Sequence, residues 1–514
     1  MRLRVNRLSL SQGGGNEQFE DAAVDKPSLA ALAALVLTAG PCPVAAADKA
    51  PVIKENGVEA KSEEWAKYYP HQYNSWRETA KSEEIVDMVK KKPQLAILWA
   101  GYPFAKDYNA PRGHFYAVQD VTNTLRTGAP VSPITGPLPT ACWSCKSPDV
   151  PRLIQEKGEK EYFTGKWAKY GSEVVNPIGC ADCHDSKTGE LALSRDYLKR
   201  GLTDMGVDVA KLEKKDLRSL ACAQCHSEYY FKKSEETDAK GDKKVTMTVT
   251  FPWKNGFKGE EVEAYYDALK FSDWTHGISK APMLKAQHPD YELFVSGAHG
   301  RNGVTCADCH MPSKKDGETV FSDHQVRSPI DNIANTCLNC HEQDEQEFKD
   351  VLAVKLERKE QMMERAMDGL ARAHLEAGKA WEVGATEEEM KDILTDLRHG
   401  QWRWDYSIAG HGSYFHNPEE TLRLLGQAID LAQQARLKTA AVLAKHGVIG
   451  YQAPDFSTKE KAQALAGIDM AKEIADKKTF KATLWQEWNK EAIAKGRLNP
   501  ESRKGMSDKA SWSE

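Results

Sequence analysis

Ten cysteines arranged as five Cys-x-x-Cys pairs, all between Cys142 and Cys340, constrain this 514-residue chain more than any other feature. Four pairs are followed at once by histidine: Cys180 and Cys183 by His184, Cys222 and Cys225 by His226, Cys306 and Cys309 by His310, and Cys337 and Cys340 by His341. A single Cys-x-x-Cys fits a zinc half-site or a thiol redox motif. Neither chemistry asks for histidine directly after the second thiol. Cys-x-x-Cys-His is the attachment signature of c-type haem: the thiols bond the porphyrin edge and the imidazole reaches the iron. The fifth pair, Cys142 and Cys145, is followed by Lys146, so an amine stands where the imidazole would be. All but the ligand matches. Five covalent haems are expected, one of them held unlike the rest.

This density limits the fold. The stretch from Cys142 to His341 is 200 residues long and carries five motifs, or 40 residues for each. Porphyrins are therefore expected to form much of the apolar interior, with irons close enough to pass electrons. Regular strand alternation is lacking. Lys244–Phe251 is the one convincing short strand. The expected class is mainly α, a multihaem cytochrome c followed by long C-terminal helices.

After His341 the pattern becomes helical. Phe348, Leu352, Leu356, Met363, Met367 and Leu370 share one helix face within Glu342–Glu382, and Thr386–Arg403 reads as its continuation. Asn417-Pro418 opens a helix running to about Lys445, with Asn as cap and Pro at the first position. Ser457-Thr458-Lys459-Glu460 reads as a capping box that opens a third. Such helices form a bundle or the seam of a two-fold dimer.

The remaining cysteine, Cys42, lies beside an apolar segment, Ser28–Gly40, that leads to Ala45-Ala46-Ala47. A short apolar core ending in small residues reads as a secretory signal cleaved near Ala47, too short to span a bilayer. The expected organisation is residues 1–47 as signal and N-terminal extension, 48–341 as the haem region, and 342–514 as the long-helix region. Export to the periplasm fits haem attachment outside the cytoplasm. The net charge of −5 argues against non-specific nucleic-acid binding.

Electron-carrying c-haems with a histidine ligand usually take a second axial ligand. Of fifteen histidines, His114, His299, His324 and His411 are the candidates. Three have adjacent glycine, which lets backbone approach a flat ring. His71, His374, His399, His416 and His446 read as surface or hydrogen-bonded residues.

The pattern resembles pentahaem cytochrome c nitrite reductase, the ammonia-forming enzyme. The likeness runs from about Tyr69 to Phe480. It rests on the lysine motif, the four histidine motifs in order, Leu125-Arg126-Thr127-Gly128, His226-Ser227-Glu228-Tyr229-Tyr230 and Lys285-Ala286-Gln287-His288-Pro289. The resemblance implies that Arg126, Tyr229 and His288 surround an open iron site. It also implies calcium held by Glu228, the Tyr229 and Lys285 carbonyls and the Gln287 side chain, and it matches the four distal histidines to family positions.

The chemistry is coherent on general grounds. Nitrite to ammonium consumes six electrons and eight protons. Arg126 offers a planar cationic fork to an anion, His288 suits proton delivery, Tyr229 can donate a hydrogen bond, and hard oxygen donors suit calcium. Electrons are expected from a quinol-linked membrane cytochrome or a small cytochrome c. The rival readings are a multihaem electron-transfer protein, with every iron fully ligated, and a related reductase of hydroxylamine or sulfite.

Overall fold

The computed structural model describes residues 51–237, 241, 243–503 and 508–513. The segment read as signal and extension lies outside the described residues. Helices dominate, and the only sheets among the described residues are three two-stranded antiparallel hairpins. The expected strand is present as Lys243–Thr250 (β2), paired with Tyr230–Thr237 (β1) from Tyr230↔Thr250 to Thr237↔Lys243. β1 escapes the periodicity test because its run of Lys, Ser, Glu and Thr exposes both faces from Lys232 onward.

Three helices form the C-terminal bundle: Glu345–Glu382 (α1), Glu387–Ala409 (α2) and Pro418–Lys445 (α3). Each begins where a side chain accepts an otherwise orphaned backbone N–H: Asp344 from Glu347, Thr386 from Glu389, and Asn417 from Glu420. α2 is a new helix rather than a continuation of α1. Gly384, at φ +93°, ends α1, and Thr386 with Glu389 forms a reciprocal capping box. The later helix is Lys459–Leu465, capped by Thr458 and not by Ser457.

The bundle packs closely because its seam is lined with small residues. A Cβ added at Gly369 would sit 3.3 Å from the Ala432 methyl, and one at Gly400 would sit 3.1 Å from Leu431. Met363, Met367, Leu370, Ala428, Ala432 and Ala435 are buried between the helices. The stripe expected along α1 divides. Leu352 and the later members are buried and Phe348 is half-buried, while Leu356 is 40% exposed beside exposed Val351 and Val354.

Polar side chains fasten the bundle to the region before it. Gln401 donates to the Leu98 carbonyl at 2.7 Å, Trp402 to Gly259 at 2.8 Å and Trp381 to Ser279 at 2.8 Å. The described residues from Pro51 to Ser513 form one compact unit. Side chains also build an apolar core beside the cysteine motifs. Trp143 donates to the Trp167 carbonyl, and Trp167 meets Trp488 edge-on, 5.7 Å between ring centres. No helix among the described residues is long and apolar enough to cross a membrane.

Leu370→Ala should lower the thermal unfolding midpoint, because emptying a fully buried leucine site costs about 2–5 kcal/mol. The haem absorption spectrum of the folded variant should match that of the wild type.

Candidate functional site

The cysteine motifs lie at short helical turns. Cys180–Cys183 and Cys306–His310 are single α-turns, and Cys337–Asn339 and Thr140–Trp143 are 3-10 turns. A turn of this kind presents both thiols of Cys-x-x-Cys on one side and swings the next residue beneath them. In each complete motif the residue after the second cysteine bonds back to the first turn, as in His184 N–H to the Cys180 carbonyl and His226 N–H to the Cys222 carbonyl, both 2.9 Å.

The imidazoles provide the strictest test of haem fit. Two imidazoles on one iron, with metal–nitrogen bonds of about 2.0 Å and about 1.1 Å more to each ring centre, hold their centres roughly 6.2 Å apart. His184 and His324 are 6.3 Å apart, His299 and His341 6.2 Å, and His310 and His416 6.4 Å. In three of the six rings the other nitrogen is engaged as well. His184 Nδ1 faces the Gly189 carbonyl at 2.9 Å, His310 Nδ1 that of Arg327 at 3.0 Å, and His324 Nδ1 that of Ser322 at 2.7 Å. Tying Nδ1 leaves Nε2 to ligate, as outer partners of metal-bound histidines commonly arrange. The donor set fits haem.

Of the four histidines expected as second ligands, His299 and His324 each face a motif histidine, and the His411 ring faces His288. Burial pushes His114 down to about 4, and the charges of His226 and Lys146 push the same way. The His411 ring meets His288 at 6.0 Å. The ring opposite His310 belongs to His416, five residues further on, a histidine that by sequence alone reads as a surface or hydrogen-bonded residue. Its framing glycines are now explicable. A Cβ on Gly412 would press into the His416 imidazole at 2.6 Å, and one on Gly297 would lie 1.8 Å from the His416 carbonyl. The glycines thus make room for His416.

Arg126 and Tyr229 gather on the lysine motif. Arg126 lies in the 3-10 turn Leu125–Thr127, its guanidinium 4.7 Å from the Phe104 ring centre and 5.6 Å from that of Tyr108. Among the described residues nothing accepts its hydrogen bonds. Burial raises the Cys142 thiol while Lys146 and Arg126 pull it down, so both cations stand near that thiol. Burial likewise drives the Tyr229 phenol upward, and Cys145 and Cys142 are the next causes. The Lys146 amine has no acceptor or carboxylate among the described residues.

His288 occupies the neighbouring motif's side, its ring 5.6 Å from that of His226. Asp290, unremarked in the sequence, joins these parts. Its Oδ2 lies 3.5 Å from His226 Nδ1 and 3.8 Å from His288 Nδ1, and its Oδ1 lies 3.8 Å from His416 Nδ1. Burial pushes His288 down to about 4, opposed by Asp290. The signal that could have found Asp290 was a carboxylate two residues past a candidate catalytic histidine.

The oxygen cradle closes on Glu228. Gln287 N–H donates to Glu228 Oε2 at 2.6 Å, the Tyr266 hydroxyl to Oε1 at 3.0 Å, and Gln287 Nε2 to the Lys285 carbonyl at 3.1 Å. The Lys285 ammonium turns away to Asp405, 2.9 Å. Glu228 is fully buried, and no cationic side chain pairs with it among the described residues. Burial, reinforced by Glu292 and Asp273, drives its carboxyl well above the usual range. A buried carboxylate beside carbonyl and amide oxygens is a donor set for a hard cation, and calcium fits it.

Helical turns bearing paired thiols, with imidazoles set an iron's width apart, define a multihaem c-type cytochrome. The chain belongs to the cytochrome c552 family, whose pattern matches residues 61–498. It is 62% identical to cytochrome c-552 of Desulfotalea psychrophila over 464 residues, 90% of this chain and 91% of that protein. It is 59% identical to cytochrome c-552 of Maridesulfovibrio salexigens over 462 residues, 90% of this chain and 92% of that one. Among solved structures it resembles the catalytic subunit, NrfA, of cytochrome c nitrite reductase from Desulfovibrio desulfuricans, described as having two calcium sites. That match has a TM-score of 0.67 and 29% identity, and it covers 80% of this chain and 90% of the other.

The geometry predicts that His416→Ala converts one low-spin haem to high-spin in the resting protein, read by electron paramagnetic resonance. His411→Ala should leave the number of low-spin haems unchanged.

Proposed function

We propose that this chain reduces nitrite to ammonium by six electrons, at a haem held by Cys142, Cys145 and Lys146. The observation that carries the reading is an asymmetry. Histidines of three motifs stand opposite second imidazoles, while the lysine motif is attended by Arg126 and Tyr229, a donor fork and a phenol. When bound, the haems supply irons that relay single electrons and, at the lysine motif, the iron where nitrite is reduced. We assign the second ligands as His114 for His226, His324 for His184, His416 for His310 and His299 for His341.

The side chains contribute binding, orientation and protons. Arg126, always cationic and with its donors unspent, holds the anion's oxygens. Its contact with the Phe104 and Tyr108 rings restrains the guanidinium. Tyr229 keeps its phenolic proton and donates it as a hydrogen bond to the reacting oxygens or nitrogen. His288 has Nδ1 turned toward Asp290, which leaves Nε2 to pass protons as N–O bonds break. Positive charge and fixed donors aimed at developing negative charge lower the barrier. Calcium at Glu228, Gln287 and the Tyr229 and Lys285 carbonyls would join the Tyr229 and His288 segments, since the Glu228–Gln287 contact already links them.

The protein is read as an exported periplasmic enzyme that takes electrons from a quinol-linked membrane cytochrome or a small cytochrome c. Val351, Val354 and Leu356, exposed along the first half of α1, support pairing of two copies there.

With reduced viologen as donor, the holoprotein should convert nitrite stoichiometrically to ammonium; none formed by five-haem protein would reject the reading. Lys146→His should keep its haem and lose about tenfold in kcat. Glu228→Gln should lower bound calcium, measured by elemental analysis, together with kcat.

A further inference from the structure

Lys477 is 1% exposed on helix Met470–Ala482 (α4), and no carboxylate lies at ion-pair distance among the described residues. A lysine buried without an ion-pair partner is unusual and costly. Its ammonium donates to the Thr122 carbonyl at 3.3 Å, to Thr127 Oγ1 at 3.1 Å and to the Gly128 carbonyl at 2.5 Å. These acceptors lie on both sides of Arg126 in the chain.

Asp107 grips the same turn from another direction. It is 1% exposed, and its Oδ2 accepts from the Leu125 N–H at 2.9 Å and from Thr124 Oγ1 at 3.0 Å. Ser511 Oγ donates to its Oδ1 at 2.9 Å. Asp107 sits in the segment that supplies Phe104 and Tyr108, the rings under the Arg126 guanidinium. α4 holds that segment too, through Glu473 and Lys106 at 2.6 Å. The turn closes at Gly128, φ +71°, where a Cβ would strike Pro137 at 2.6 Å.

We propose that Lys477 and Asp107 are positioning residues for Arg126, binding its turn and its aromatic shelf into one rigid piece. The inference rests on Arg126 as the anion-binding group and adds what aims it. A forked donor discriminates by geometry, so a loosened turn weakens recognition of an anion more than that of a neutral substrate.

The test compares nitrite with hydroxylamine, which is mostly uncharged near neutral pH, in viologen-driven turnover by holoenzyme. Lys477→Met should raise the ratio of the nitrite KM to the hydroxylamine KM about tenfold, the scale of one hydrogen bond to a charged group. Lys477→Arg should bring the ratio back toward wild type. Nitrite titration of the resting protein, followed in its absorption spectrum, should show the same weakening. If the methionine variant does not yield holoprotein, Lys477→Gln carries the same comparison. Equal rises in both KM values, or no change in either, overturn the positioning role. Arg126→Lys is the reference. If the ratio moves there and not in the Lys477 variants, the positioning role alone falls. If Arg126→Lys leaves the ratio unchanged, the anion-binding reading fails and takes the inference with it.

Discussion

Three pairs of imidazoles, each 6.2–6.4 Å between ring centres, set the spacing to which the rest of the chain must conform. That separation suits a metal between two rings and is too wide for ring stacking. The partners come from distant segments: His184 meets His324, and His310 meets His416. The chain must therefore leave the cysteine motifs, run through α1 and α2, and return with His416. The small residues of the bundle seam and the Gln401, Trp402 and Trp381 hydrogen bonds make that return rigid. The bundle is part of the site, since it delivers one of the rings.

A second constraint is buried charge. Glu228, Asp273 and Asp405 all have carboxyls pushed upward by burial, Asp273 to about 7. Lys285 meets Asp405 directly. Glu228 lacks such a partner among the described residues, and carboxylates buried this way are destabilising until a cation arrives. Asp290 shows the opposite balance. Three imidazoles surround it, and although burial opposes ionisation, His226 and His288 hold its carboxyl well below the usual range. One carboxylate thereby touches the His226 motif, the candidate proton donor His288 and the ring opposite His310.

Much of this architecture was legible in the sequence where the relevant physics is local. The cysteine motifs, the amine at Lys146 and the start of α3 depend on residues within one helical turn of each other. Asn417-Pro418 could be read directly as a helix start, since its cap bond reaches only to Glu420. Local patterning misled where two helices followed closely. The apolar spacing runs on past Glu382, and only the left-handed turn at Gly384 separates α1 from α2.

The choice between His411 and His416 shows where local reading stops. Both lie near glycine on the same short stretch. Contacts with Gly297 and Asp290, over a hundred residues earlier in the chain, turn His416 toward His310. The linear chain carried the identity of the ligating groups, because bonding preference belongs to the side chain. Which ring faces which, and which carboxylate lies among them, was decided by folding, because those distances arise from packing between segments that share no local signal.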